Sequence, residues 1–411
     1  MLKISSGVLL AFVLVGCGSD PPPGATATID KTLPDSPLSG LAKVSLIRAG
    51  DSFTLAGYDS TSGKVRWGRL ALDGTLSQEA SFAMAQPVIG PVFAATKKTS
   101  PGDQLVALAM VNSSTLSGGY DLTATVQTIG DVLPAAPIVL VTLPAVSDTT
   151  LLQLAAGAAA SGNLGYVAWG VRMQGIPISY LMLPADAITA AAPSKMLDDS
   201  VPANVPAWDC LAPQSTPNGI VFSAVTPNTA FGTSDFRTAE IDENGVANFL
   251  TYQLTATVTS CHIVGSPTPT GSYFMAFQGT ENGSSGIYFA TYYPPAPPAV
   301  DGIVKTYSVL PSVLFGAPLN MPRPAWVTSA GGDVVIGLER KAGPQVFRWT
   351  YNAIGHGSAL TMRSVNGNTG PVSAWVGFDA SYVTYTDQVS SAGTTAIKRY
   401  FMRVDSPASL P

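Results

Sequence analysis

Side chains that carry out acid, base or metal chemistry are scarce in this chain. Its 411 residues include two histidines, His262 and His356, and three cysteines, Cys17, Cys210 and Cys261. Lys, Arg, Asp and Glu together make up only 11% of the residues, whereas a soluble domain typically has about 25%. No arrangement of these residues matches a catalytic triad. The sequence therefore predicts no cofactor and favours a protein that is not an enzyme.

A Cys-His metal site would use the adjacent pair Cys261 and His262. Neighbouring residues of a β-strand point to opposite faces of its sheet, so these two side chains cannot easily share one ion. His356 lies between two glycines, which is typical of a turn. We therefore predict no metal site, and we interpret His262 as a strand residue that is structural or lines a channel.

The carboxylates are the remaining groups for catalysis. Two pairs, Asp198-Asp199 and Asp242-Glu243, lie in segments expected to be turns, where exposure to solvent explains them. A glycosidase needs two carboxylates that face each other across a pocket, and that arrangement depends on the fold. The net charge of −5, without a basic block, argues against nucleic acid as a partner.

The N-terminus has the features of a targeting signal. Lys3 precedes an apolar run at residues 8–15, which is too short to span a bilayer as a mature helix. The run ends in Leu-Val-Gly-Cys (14–17), which resembles the lipobox of bacterial lipoproteins. The resemblance implies that a signal peptide of residues 1–16 is removed and that Cys17 carries the lipid. The alternative is an ordinary secretory signal with a coincidental cysteine.

The residues after the cysteine extend this interpretation. Gly18 stands where inner-membrane retention would favour Asp, so the resemblance implies the outer membrane. Several acyl chains anchor a protein stably, at about 0.8 kcal/mol for each buried CH₂ group. Residues 17–24 then form a short extended tether, rich in proline. We therefore expect attachment to the membrane through the N-terminal lipid, on the periplasmic or the surface face.

Seven similar segments follow, about 55 residues apart. Each contains a short run with alternating apolar residues after a turn-forming residue, which is the pattern of an all-β chain. The seven runs are SFTLAGYD (52–59), QLVALAMV (104–111), YVAWGV (166–171), IVFSAV (220–225), YFMAFQ (273–278), VVIGLE (334–339) and YVTYTD (382–387). A strand precedes each run, another follows it, and turns such as Asp73-Gly74 lead into a fourth. This pattern predicts a single β-propeller, with seven four-stranded blades.

The propeller domain is assigned to residues 25–411. Its blades are placed at residues 35–88, 89–146, 147–204, 205–255, 256–320, 321–368 and 369–411 plus 25–34. The last copy ends just past its third strand, so we expect residues 25–30 to be its outer strand and to close the ring. The alternative is a disordered tether over residues 18–35. Stacked blades bury both faces of each sheet, which explains the scarcity of charge.

Cys210 and Cys261 fall near the middle of the first strand in adjacent blades. First strands line the narrow centre of a propeller, where adjacent blades come close enough for a disulfide. An exported chain with two remaining cysteines also favours a bridge. Two buried, reduced thiols are the alternative.

Three tryptophans, Trp208, Trp326 and Trp375, also recur in first strands. Packing between blades is the expected role of such large apolar side chains. The alternative is that they line the central channel with His262 and contact a ligand there.

Residues 58–67, YDSTSGKVRW, resemble the Asp-x-x-x-Gly-Lys-x-x-Trp repeat signature of quinoprotein-type propellers. That family includes quinone-dependent dehydrogenases and a lipoprotein of the outer-membrane β-barrel assembly machinery. The match covers one blade of the seven, and the repeated tryptophan docking pattern is missing. The resemblance therefore implies no bound cofactor.

These observations predict a lipid-anchored propeller of the cell envelope that acts as a binding or scaffolding module for an envelope protein or a glycan. The alternative from another class is a glycan-active enzyme, a hydrolase or a lyase, with its pocket at the central channel. A third possibility is a component of a multi-protein envelope machine, which would expose a large apolar patch.

Overall fold

A computed structural model describes the fold over part of the chain. The described residues are 27–41, 43–97, 103–131, 134–146, 152–157, 166–171, 179–182, 195–196, 209–216, 219–228, 233–242, 247–254, 257–267, 273–281, 283–293, 303–311, 323–330, 333–339, 345–350, 357–361, 373–376, 380–391 and 394–405. Side chains are described for most of residues 29–146, and at fewer positions within 152–156, 234–288 and 373–403.

Strands are the regular elements of this part of the chain, and they form seven sheets of four antiparallel strands. In chain order, β1 (Ala27–Thr32) precedes the first sheet, which contains β2 (Ser45–Ala49), β3 (Ser52–Asp59), β4 (Lys64–Ala71) and β5 (Leu76–Ala83). The second sheet contains β6 (Val88–Lys97), β7 (Gln104–Asn112), β8 (Tyr120–Thr128) and β9 (Ile138–Leu143). No helix among the described residues is long and apolar enough to cross a membrane.

The remaining five sheets repeat this arrangement. The third contains β10 (Leu152–Gly157), β11 (Tyr166–Val171), β12 (Ser179–Met182) and β13 (Lys195–Met196). The fourth contains β14 (Asp209–Thr216), β15 (Gly219–Asn228), β16 (Thr233–Asp242) and β17 (Ala247–Gln253). The fifth contains β18 (Thr257–Pro267), β19 (Tyr273–Glu281), β20 (Ser284–Tyr293) and β21 (Ile303–Pro311). The sixth contains β22 (Arg323–Ala330), β23 (Asp333–Glu339), β24 (Gln345–Thr350) and β25 (Gly357–Thr361).

The last sheet combines both ends of the described chain. It contains β26 (Ser373–Val376), β27 (Ala380–Ser391) and β28 (Thr394–Asp405), and β1 pairs with the free edge of β28. The pairing runs from Ala27 opposite Val404 to Thr32 opposite Tyr400. Residues 27–30 of the predicted outer strand lie in β1, and residues 25 and 26 are outside the described residues.

The first strands of consecutive sheets lie against each other. These contacts join β2 to β6, β6 to β10, β10 to β14, β14 to β18, β18 to β22 and β22 to β26. β26 also contacts β2, which brings the last sheet against the first. A contact between β14 and β26 crosses this order, so the first strands do not lie on one regular circle.

Burial falls from the inner strands of a sheet to the outer one. Seven consecutive residues of β7 are buried, because the two faces of this sheet pack against different neighbours. In the outer strand β5, by contrast, only Phe82 is buried. The long apolar run of β7 therefore marks a strand covered on both faces.

The packing between the first two sheets shows how these faces meet. Ala56, Val65 and Trp67 of the first sheet share one core with Leu105 and Ala107 of the second. Two hydrogen bonds satisfy polar side chains buried there, as is usual for interior polar groups. The indole of Trp67 donates to Gln127 Oε1 at 3.4 Å, and the backbone N–H of Thr96 donates to Thr54 Oγ1 at 3.0 Å.

Candidate functional site

The interface between the first sheet and the last sheet, here called the seam, has an aromatic centre. Phe53 of β3 is fully buried and contacts three rings of the last sheet. Its centroid lies 4.8 Å from that of Tyr382, 5.8 Å from that of Trp375 and 6.4 Å from that of Phe401. These rings are tilted or edge-on, which is the favourable geometry for aromatic pairs. The seam is therefore a packed core between the two sheets.

One end of the seam is covered by residues 33–41, here called the strap. Leu33 and Leu38 are buried in the same core as Phe53. The backbone N–H of Leu33 donates to Arg399 O at 2.8 Å, and Ser39 Oγ donates to Pro34 O at 2.6 Å. The strap thus joins β1 to β2 as an ordered segment packed on the seam.

Arg399 of β28 is buried beneath the strap. Its Nη2 donates to Leu41 O, and its Nη1 donates to Thr384 Oγ1 at 3.3 Å. Its Nε finds no acceptor among the described residues, and no described carboxylate pairs with it. Burial lowers the pKa of this guanidinium to about 10, because desolvation disfavours the charged form. Arg399 therefore binds the strap through a hydrogen bond to a neutral acceptor, the carbonyl oxygen of Leu41.

Two partly exposed arginines lie at the other end of the seam, here called the Arg48 end. The guanidinium carbon of Arg48 lies 4.5 Å from the ring centroid of Trp375, and that of Arg403 lies 5.7 Å from the ring centroid of Tyr382. Such cation–π contacts contribute about 0.5–1 kcal/mol at exposed sites. Arg48 Nε donates to Gly50 O at 2.9 Å, while its two Nη groups contact no acceptor in the described part of the chain.

The carboxylates of the first sheet are engaged in structural contacts. Asp59 accepts hydrogen bonds from Ser62 Oγ at 2.7 Å and from Arg66 Nη2 at 2.8 Å. These bonds, first that of Ser62 and then that of Arg66, hold the pKa of Asp59 well below its usual range. The backbone N–H of Thr75 lowers the pKa of Asp73 in the same way. Both groups are therefore ionised at neutral pH and cannot serve as general acids.

Two aspartates of the second sheet are similarly occupied. Asp103 pairs with Arg69 of the first sheet at 3.0 Å, which ties the two sheets together. Asp121 is buried and accepts a hydrogen bond from Thr142 Oγ1 at 2.7 Å and another from the backbone N–H of Ser114 at 3.3 Å. Over the described residues, no group of three or more His, Cys, Asp and Glu side chains could hold a metal ion. At the Arg48 end of the seam, the guanidinium of Arg48 keeps two Nη groups that can donate hydrogen bonds to an anion.

Of the site residues predicted from the sequence, Trp375 is the one whose side chain the structure describes. It is 2% exposed, with Phe53 and Tyr382 against it and Arg48 over its ring. This is the packing role, and a ligand would meet Arg48 rather than the indole. Trp208 and Cys17 lie outside the described residues. Trp326 and His262 lie in β22 and β18, and their side chains are outside the described ones.

Cys210 and Cys261 lie in comparable places in adjacent sheets. Cys210 falls in the irregular stretch of β14 between Asp209 and Ala212, and Cys261 in that of β18 between Val258 and Ile263. β14 and β18 contact each other. The side chains of both cysteines are outside the described ones, no disulfide is found among the described residues, and the bridge stays a prediction.

The sequence did not single out Arg48, Arg399 or Arg403 as functional candidates. A signal for two of them is present in β28, where Arg399, Phe401 and Arg403 alternate and so share one face. The structure buries Arg399 on this face and leaves Arg403 partly exposed.

Comparison with known proteins gives the fold class and no family. No family model and no curated protein matches the chain. A solved structure described as the polysaccharide lyase Uly1 is similar over 88% of this chain and 89% of its own, with 10% identity and a TM-score of 0.54.

Two propellers are also among the similar structures. The Cps50 (Swd1) β-propeller domain of Myceliophteria thermophila matches over 87% of this chain and 99% of its own, with 12% identity and a TM-score of 0.38. The β-propeller domain of the Trilobed protease from Pyrococcus furiosus matches over 92% and 94%, with 9% identity and a TM-score of 0.36. The four-stranded antiparallel sheets and their adjacent first strands place this chain in the β-propeller class.

Proposed function

We propose that this protein is a lipid-anchored module of the cell envelope that binds or scaffolds another molecule through its propeller. The observation that carries the proposal is that the aspartates around the seam are occupied by structural partners, while one arginine keeps free donors. Asp59, Asp73, Asp103 and Asp121 are taken up by structural partners, whereas Arg48 presents unoccupied donors at a partly exposed end. These side chains suit recognition rather than acid–base turnover.

We further propose that the seven sheets are the seven blades of one propeller and that β1 closes it. Three observations support this arrangement: each sheet has four strands, β1 pairs with β28, and β26 lies against β2. The aromatic centre of the seam supplies the packing that a closed ring requires between its first and last blades. Closure by a strand from the other end of the chain also leaves no unpaired edge on β28.

The function is tested by incubating the purified chain from residue 18 onward, immobilised through a C-terminal tag, with detergent extract of cell envelopes. A module is expected to retain a specific protein or glycan, and heat-unfolded chain is the matched control. The glycan-active alternative is tested on the same preparation. If envelope polysaccharide yielded new reducing ends or unsaturated sugar products, the protein would be a glycan-active hydrolase or lyase, and the binding proposal would be rejected.

The lipid anchor makes a prediction of its own. Cys17→Ala is expected to move the protein from the membrane fraction to the soluble fraction, because the thiol that accepts the lipid is gone. Ser19→Ala, two residues away, is the control and should remain with the membranes. Cell fractionation with an alkaline carbonate wash measures the effect. Unchanged membrane association of Cys17→Ala would refute lipidation.

The disulfide is the next prediction. A bridge between Cys210 and Cys261 would close a loop of about 50 residues and stabilise the fold by about 3–4 kcal/mol on the chain-entropy model. The unfolded, unreduced protein should therefore resist alkylation at both positions, as read by peptide mass. The Cys210→Ser variant should expose one alkylatable thiol. Alkylation of both cysteines without reductant would show two free thiols instead.

A further inference from the structure

We propose that Arg48 is the recognition residue of an oxyanion-binding site at the Arg48 end of the seam, for a ligand that carries a carboxylate or a sulfate group. The inference rests on the proposed binding function and names its ligand class. The ligand is a free acid or an acidic polymer, since both present the same oxygens. A guanidinium fork matches such groups with two parallel hydrogen bonds.

The guanidinium of Arg48 is held in place by two contacts. Its Nε donates to Gly50 O at 2.9 Å, and its guanidinium carbon lies 4.5 Å from the ring centroid of Trp375, which itself packs against Phe53 and Tyr382. The two Nη groups are left to donate. An arginine ordered in this way loses less conformational entropy when it binds a ligand, and this preorganisation favours affinity.

Arg48 differs from the neighbouring arginines of its sheet because it has no ion pair with a described residue. In the same sheet, Arg66 pairs with Asp59 at 2.8 Å and Arg69 pairs with Asp103 at 3.0 Å. Arg48 has no ion pair among the described residues, although Asp51 lies three positions along the chain. In a protein with 26 acidic and 21 basic side chains, a carboxylate partner is not scarce. An uncompensated guanidinium at this place fits a partner that comes from outside the chain.

A second positive charge lies on the same end of the seam. Arg403 stands opposite Tyr382 in the pairing of β27 with β28, and its guanidinium lies over that ring. The rings of Tyr382 and Trp375 are 5.8 Å apart, so the two arginines approach one end of one aromatic cluster. Arg403 thus places a second guanidinium beside the aromatic cluster that orders Arg48.

The position in the fold suits a ligand site. Arg48 lies on β2, a first strand, next to the turn into β3, and Trp375 lies on β26, the first strand of the last sheet. β2 and β26 contact each other. In a ring of blades these strands border the central channel, so Arg48 would stand at one mouth of that channel.

The test is calorimetric titration of the folded chain with four probes: galacturonate, polygalacturonate, dextran sulfate and neutral dextran. Dextran sulfate or polygalacturonate should bind and neutral dextran should not. Galacturonate binding as tightly per site as its polymer would identify a free acid as the source, and much weaker monomer binding would identify a polymer. Arg48→Gln should weaken binding about tenfold or more, the loss of one charge-assisted bidentate contact.

Lys64→Gln is the matched control. Lys64 is an exposed cation of the same sheet, at the end of β4 that pairs with Asp59, and its replacement should leave the affinity within about twofold. Equal losses in both variants would overturn the site and leave only diffuse attraction between charges. Urea denaturation of both variants checks that each remains folded.

The failure of this inference and that of the proposed function are distinguishable. If no oxyanion probe binds while the immobilised chain still retains an envelope molecule, the oxyanion site is refuted and the binding module stands. If nothing binds in either experiment, both are refuted.

Discussion

Replacement of Phe53 by alanine is expected to lower the free energy of unfolding by about 3–5 kcal/mol, the range for truncating a fully buried aromatic residue. Phe53 is 0% exposed, and its ring contacts Trp375, Tyr382 and Phe401 across the seam. A methyl group cannot fill this space, because the surrounding rings come from two sheets whose backbones are held by their own hydrogen bonds. Urea denaturation measures the loss.

The matched control is Phe82→Ala. Phe82 is buried between the first and second sheets, so its truncation removes the same atoms away from the seam. Both variants should lose stability, but Phe53→Ala alone should accelerate amide hydrogen exchange in β1, β26, β27 and β28. That difference follows because the last sheet loses its packing partner.

A double-mutant cycle identifies the contact itself. Phe53→Ala combined with Tyr382→Leu should show a coupling of about 0.5–1.5 kcal/mol, as expected for an aromatic pair with centroids 4.8 Å apart. The packing described for the seam would be contradicted if Phe53→Ala lowered the free energy of unfolding by less than about 1 kcal/mol and left amide hydrogen exchange in the last sheet unchanged. The proposed closure of the ring would then be contradicted as well.

The second large effect on the free energy of unfolding is expected at Arg399. Its cause is the loss of hydrogen bonds from a buried charged group, not the loss of side-chain volume. Arg399→Lys is expected to lower the free energy of unfolding by about 3 kcal/mol, because one buried hydrogen bond from a charged donor is lost and the acceptor it served is left buried. The ammonium group still carries the cost of burial and cannot span both Leu41 O and Thr384 Oγ1 as the guanidinium does.

Arg399→Met is the informative comparison. Methionine fills the space of the arginine stem and removes the buried charge, leaving chiefly Leu41 O unsatisfied, so we expect a loss of about 1–2 kcal/mol. The order of stability is therefore wild type, then Met, then Lys. A lysine variant as stable as the wild type, or a methionine variant less stable than the lysine variant, would contradict this account of the strap.

The pH dependence of the Arg399→Lys variant has a defined sign. Burial lowers the pKa of the lysine in the folded state below its value in the unfolded state, as it lowers that of Arg399. Between these two pKa values the unfolded state binds more protons, so stability rises with pH. The difference between the Lys and Met variants should therefore shrink as the pH is raised toward about 10, and urea midpoints over that range measure it.

Local sequence patterns predicted the strands and several of their turns. The runs at residues 52–59 and 104–111 coincide with β3 and β7 almost to the residue, because period-two alternation and continuous apolar runs directly report strand burial. Asp73-Gly74 forms the predicted turn, and Gly74 has a φ of +80° that a residue with a Cβ rarely adopts. A Cβ there would also lie 2.6 Å from the ring of Phe401, so this glycine serves the seam as well.

The role of particular side chains was less accessible. Trp375 lies in β26, a first strand, and the sequence leaves open whether it packs or binds, because that depends on what lies across from it. The structure puts Phe53 and Tyr382 against its ring and the guanidinium of Arg48 over the same ring. A residue some 320 positions away in the chain thus decides what Trp375 does.

The sequence alone determined that this chain is all-β, repetitive and poor in charge, since those properties are set by neighbours within a few residues. Only the tertiary structure decided which charges are paired. Arg66, Arg69, Arg48 and Arg399 all lie in β-strands, yet two have carboxylate partners, one is buried against neutral acceptors and one keeps free donors. The physical reason is that each partner is supplied by the facing sheet or the adjoining turn, and long-range packing sets which groups meet there.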